Sequence, residues 1–135
     1  MEPRKKEEVE NCPVFLASQI LGKKWMILVI QVLMTPEASR GLRYSEISHQ
    51  MEWIGAKVLT ERLRELEEYD LVLREVDDTK TPAHVSYTLT KKGEGLRKAM
   101  EELQSWGMKY DESSTSACAG EGFSRCLGCT NHIPD

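Results

Sequence analysis

The chain has 135 residues, the size of one domain with its own core, and 30% of them are charged and 7% aromatic, as in ordinary globular proteins. No apolar run is long enough for a bilayer crossing, since the best, residues 25–34, is short and contains Gln31. The charged first ten residues do not make a secretory leader, so the expectation is a cytoplasmic protein without membrane contact.

The net charge of −4 is unevenly spread. Residues 1–98 hold 16 basic and 16 acidic side chains, and residues 99–135 hold Lys109 and Arg125 against six acids. A neutral module can still bind nucleic acid through local clusters, with modest long-range attraction.

In chain order, residues 1–11 read as a solvated arm. Residues 14–33 carry apolar side chains near helical spacing and predict one helix, stopped ahead of Pro36. Residues 44–51 predict a short helix with Ile47 and Met51 inward, and residues 53–55 a tight connection. The clearest helix spans residues 56–68, where Leu59, Leu63 and Leu66 form one apolar stripe. Lys57, Thr60, Glu61 and Arg64 fall on its opposite face, and Arg62 falls beside the stripe. Asp70 is a residue tolerant of the left-handed conformation that ends helices. Residues 71–76 and 85–89 predict two strands joined by a loop containing Pro82. Thr90 is placed to cap a long helix whose stripe runs Leu96, Met100, Leu103, Trp106 and Tyr110. Three segments follow: an arm at 1–11, a folded domain at 12–112 and a cysteine-rich tail at 113–135.

A short helix, a tight turn, a helix with a polar outer face and a hairpin together predict a winged helix-turn-helix. The fold class is α+β, mostly helical. One α-helix fits the major groove, where each base pair shows a distinct hydrogen-bonding edge. Lys57 and Arg64 suit guanine or phosphate, Thr60 suits thymine or a hydrogen-bonding edge, and Glu61 suits cytosine. Arg43, Ser45, Arg74, Lys80 and His84, with Arg40, are candidates for contacts to the DNA backbone. His49, His84 and His132 are scattered, with no nucleophile–base arrangement and no phosphate-binding glycine loop, so an enzyme is not expected.

An ordered set of residues carries a family likeness. It comprises Cys12-Pro13, Gly22-Lys23-Lys24-Trp25, Leu42 through Ile47, the run Ile54 through Val76, Thr81-Pro82, Val85, Tyr87, Leu89-Thr90, Gly93, Leu96 and Trp106-Gly107. In these the chain resembles the HxlR-type transcriptional regulators, a branch related to the MarR winged-helix proteins. The resemblance implies a homodimer held by the first and last long helices, bound to a pseudo-palindromic double-stranded DNA operator. It implies reading-helix positions at Lys57, Thr60 and Arg62, and a redox or electrophile sensor at Cys12, as some members have. The family commonly has Ser at the position of Gly55 and Gly at that of Asp70.

The tail departs from the family. Cys118, Cys126, Cys129 and His132 offer three thiolates and an imidazole, a donor set for zinc or, with Cys12 or His132 as fourth ligand, an iron–sulfur cluster. A disordered tail with reactive thiols, or disulfides within it, are the alternatives. The functional expectation is a homodimeric DNA-binding transcriptional regulator, controlled by redox state or metal through Cys12 or the tail. The alternative is a winged-helix protein–protein module without a DNA role, which the acidic balance and the sparsely basic wing would suit.

Overall fold

The computed structural model describes residues 1–111. The elements are α1 (Lys6–Glu10), α2 (Pro13–Leu21), α3 (Met26–Leu33), a 3-10 turn (Pro36–Arg40), α4 (Tyr44–Gln50), α5 (Ala56–Glu68), β1 (Val72–Asp77), β2 (His84–Leu89), α6 (Lys91–Glu94) and α7 (Arg97–Tyr110). The winged helix-turn-helix order expected from the sequence is present. No single helix among the described residues is long and apolar enough to cross a membrane. The boundary placed after residue 112 and the whole tail lie outside the described residues.

α3 is the centre of the core. Met26, Val29, Ile30, Val32 and Leu33 on it are buried, and α4 and α5 pack against it. From α4 comes Ile47, followed at the helix end by Met51, and from α5 come Leu59, Leu63 and Leu66. Removing each such side chain from water contributes on the order of 1.5–3 kcal/mol.

Two helices break where the sequence predicts continuity. The single helix expected over residues 14–33 is α2 and α3, bent by 84°. Gly22 ends α2, and Trp25 takes a left-handed backbone (φ 73°), which a bulky residue rarely adopts. The break lets α2 lie outside while α3 enters the core. At the other end, Thr90 Oγ1 accepts from the Gly93 amide at 3.1 Å, as a cap should, but the helix it starts is only α6. Gly95 and Leu96 stay near helical dihedrals, and the Leu96 amide reaches back three residues to Gly93, so α7 leaves α6 at a tightened turn. Arg97 ties that turn down, pairing with Glu94 and donating to the Met34 carbonyl at 3.3 Å. The arm expected to be solvated contains α1, which buries no residue, leaves all but Val9 exposed and has a Lys6–Glu10 pair at 3.6 Å.

The hairpin pairs Val72 with Leu89 through Asp77 with His84, antiparallel. Leu42 bridges to Tyr87 in both directions, at 2.9 and 2.7 Å, so the segment before α4 is tied to the edge of the sheet at one residue. Gly41 makes this possible. Its φ of 87° suits glycine, and a Cβ there would lie 3.2 Å from the Ser86 side chain.

Candidate nucleic-acid interface

α4 and α5 are joined by a turn in which Ile54 is buried and Trp53 is exposed. Tyr44 Oη donates to the Ala56 carbonyl at 3.3 Å, linking the start of α4 to the start of α5. Gly55 holds the N-cap position with extended dihedrals, and its carbonyl accepts from the Leu59 amide, but it offers no side chain to satisfy the first amides.

The far end of α5 is closed more fully. Asp70 is left-handed (φ 60°), the Leu71 amide donates to the Leu66 carbonyl, and the Asp70 amide donates to the Glu67 carbonyl. These are the two bonds of a Schellman ending. Lys92 Nζ donates to the Tyr69 carbonyl at 2.6 Å and Thr90 Oγ1 to the Asp70 carbonyl at 2.6 Å. A cation at this end also suits the helix dipole.

With its leucines buried and its ends fixed, α5 presents Lys57, Thr60 and Arg64 to solvent, and none of the three side chains has a partner among the described residues. Glu61 lies at the margin of this face, half-buried. The exposed end of α5 is acidic, with Glu67 and Glu68. The helix of 13 residues is about 20 Å long, so its cationic and acidic ends lie far enough apart to meet different parts of a groove.

Arg62 is placed elsewhere. Its Nε donates to the Lys24 carbonyl at 2.9 Å and its Nη1 to Glu65 Oε1 at 2.7 Å, leaving the side chain only 14% exposed. The structure therefore separates Arg62 from the outward face that holds Lys57, Thr60 and Arg64.

The flanking candidates divide into two groups. Arg40, Arg43, Lys80 and His84 line one cleft between the start of α4 and the wing, together with Glu46, Glu75 and Asp77. Arg40 is engaged by Glu46 at 3.3 Å, whereas the Arg43 side chain is exposed. Ser45 is exposed on the first turn of α4. Arg74, on β1 opposite Tyr87, is exposed but does not line that cleft. In the wing turn, Asp77 accepts from the Thr79 hydroxyl and amide, which hold its carboxyl below the usual carboxylate range. The wing thus keeps a negative charge beside Lys80.

Cys12 is the N-cap of α2, half-buried, with Pro13 following. The amides of Phe15 and then Val14 lower its thiol pKa, with a smaller contribution from Arg4, while partial burial opposes them. No full side-chain cap hydrogen bond forms, and the direction of the shift follows from the nearby amides at the start of the helix. Cys118, Cys126, Cys129 and His132 lie outside the described residues.

The sequence reading did not find the residues that join the α2–α3 corner to the reading helix: Lys23, Lys24, Trp25 and Trp53. The signal was Gly22 inside an expected helix, a breaker that the apolar run after it obscured.

Known proteins share this arrangement. The family described as HxlR-like helix-turn-helix matches residues 20–115. The HTH-type transcriptional regulator YodB of Bacillus subtilis is 39% identical over 105 residues, covering 78% of this chain and 89% of YodB. The reduced form of YodB superposes with a TM-score of 0.64, covering 76% of this chain and 96% of that one. Its quinone-bound form, 38% identical, gives 0.62 over 73% of this chain and all of that one. The redox regulator HypR in its oxidised form is 31% identical, with a TM-score of 0.60 and coverage of 73% and 96%. A site made of a pinned helix with an outward polar face and a hairpin wing fits these relatives, and the chain belongs to the HxlR-like helix-turn-helix family of transcriptional regulators.

Proposed function

We propose that the protein is a homodimeric, sequence-specific regulator whose affinity for its operator is set by the chemical state of Cys12. The observation that carries the DNA-binding part is the outward face of α5: Lys57, Thr60 and Arg64 are exposed and, among the described residues, unpartnered, while Leu59, Leu63 and Leu66 fix the helix to the core. Donors held ready on a rigid helix favour base readout over non-specific attraction, which a net charge of −4 makes weak. Arg43, Ser45, Arg74, Lys80 and His84 would fix register on the phosphates. The sensing part is supported by the half-exposed Cys12 with its lowered pKa, and by relatives described in reduced, oxidised and quinone-bound forms.

A selection of bound sequences from random DNA, run on reduced and on quinone-treated protein, tests both parts. The expected result is a pseudo-palindromic site enriched by one form and lost by the other. In that site, Lys57→Ala and Arg64→Ala each cost about 1–3 kcal/mol where a bidentate base contact is removed. No enriched sequence in either form would refute the regulator reading and point to a protein–protein module. Equal enrichment in both forms would refute the sensor.

A further inference from the structure

We infer that Arg62 does not read bases but positions the reading helix: with Glu65, Lys23 and the Lys24 carbonyl it forms a clasp that holds α5 to the α2–α3 corner and passes a movement of α2 into α5. The inference rests on the reading of α5 as the DNA-reading helix.

The geometry of the clasp is specific. Arg62 and Glu65 lie on one flank of α5, between the leucine stripe and the outward face. Arg62 binds the Lys24 carbonyl at 2.9 Å and Glu65 Oε1 at 2.7 Å, and Lys23 Nζ stands 3.0 Å from Glu65 Oε2. Both the Arg62 and Glu65 side chains are about 15% exposed or less. Glu65 Oε2 is buried without an aligned hydrogen-bond donor, so Lys23 serves it by charge alone. Swinging Arg62 outward to a base would break both of its bonds and leave a largely buried carboxylate with a single cation. A buried charge stripped of a partner is strongly unfavourable, so Arg62 stays where it is when DNA binds.

The other side of the clasp is equally determined. Trp25, left-handed at φ 73°, puts its ring edge-on to Trp53 at 4.8 Å, and Lys24 Nζ lies 4.8 Å from the Trp25 ring centre. Trp53 belongs to the turn that leads into α5. The corner therefore grips the reading helix twice, before its first residue through Trp53 and at mid-length through Arg62. A strained backbone at Trp25 persists only because these contacts over-determine it. From the corner, α2 runs back about 14 Å as one rod of nine residues to Cys12 at its N-cap. A new group on Cys12 bears on one end of that rod, and the clasp is at the other.

Operator titrations over a range of salt, before and after alkylation of Cys12, test this with the full-length wild type, Arg62→Ala, Lys23→Met and Arg64→Ala, all with Cys118, Cys126 and Cys129 replaced by Ser so that Cys12 alone reacts. Arg62→Ala and Lys23→Met are expected to lower affinity by the same factor on every operator variant and to keep the wild-type salt slope. They should also shrink the effect of alkylation by about 2- to 30-fold. Arg64→Ala, as a DNA-contacting control, is expected to change base preference or to reduce the slope by about one. Lys23 is not on α5, so its variant separates clasp from contact. If Arg62→Ala fails to fold, Lys23→Met and Glu65→Gln carry the test. A change of base preference or of salt slope with Arg62→Ala would overturn the clasp, as would a wild-type response to alkylation in Lys23→Met or Glu65→Gln. A wild type that enriches no operator would instead sink the regulator reading.

Discussion

Cys12 acquires its character from its position at the start of a helix. The Phe15 and Val14 amides favour the thiolate in the folded protein, so the proton leaves Cys12 at lower pH than it leaves an unstructured cysteine. Ionised Cys12 therefore stabilises the folded state in full above the unfolded thiol's pKa, and that contribution is lost as pH falls through the folded one. With Cys118, Cys126 and Cys129 replaced by Ser, the rate of alkylation at Cys12 should rise with pH to a midpoint below that of the same protein unfolded in urea. An equal or higher midpoint would remove the local activation. At this scale much could be read from the sequence. Helical spacing alone put Lys57, Thr60, Glu61 and Arg64 opposite the leucines; Lys57, Thr60 and Arg64 are exposed, and Glu61 is half-buried at the margin. The same spacing put Arg62 beside the stripe, as found, but its partner could not be read, because the acceptor is a main-chain carbonyl 38 residues away and no local pattern encodes such a contact.

Elements were legible where one force dominates. The stripe of α5, the inward Ile47 and Met51 after α4, and the paired strands follow from burial of a periodic face. Continuity was not legible, because the apolar periods of α2 and α3 run on through a corner made by Gly22 and a left-handed Trp25. Close packing was not legible at α6 either. A Cβ at Gly93 would stand 2.2 Å from the Leu71 carbonyl oxygen and 3.0 Å from Leu89 Cδ2, so this helix can approach the hairpin only with glycine there. Gly93→Ala should therefore cost about 1–3 kcal/mol in urea unfolding, as overpacking against backbone does. A smaller loss at Gly55→Ala, where a Cβ meets nothing within 4 Å, is the internal control.

For the whole molecule, the sequence period of α7 declared a helix but not what its stripe covers. Met100 goes inward to this chain's own core, whereas Leu103, Trp106 and Tyr110 stay exposed, Trp106 at 65%. Val14 and Leu16 on α2 are exposed as well. Apolar side chains left in such numbers on two helices suit a second copy of the chain. Light scattering should give a dimer for the wild type and a monomer for the double variant Leu103→Glu, Trp106→Ala. The monomer's operator binding should lose about half of the salt slope, since half of the phosphate contacts go with the second copy. A dimer unaffected by these changes would place the interface elsewhere. The acidic close of α5 also bears on how the proposed dimer would meet its operator. Lys57 leads the helix and Glu67 and Glu68 end it, so phosphates draw one tip inward and repel the other. In the proposed complex, insertion would therefore be self-limiting: each protomer would enter its groove tip-first, and the base pairs facing the acidic end of the helix would be free to vary between operators.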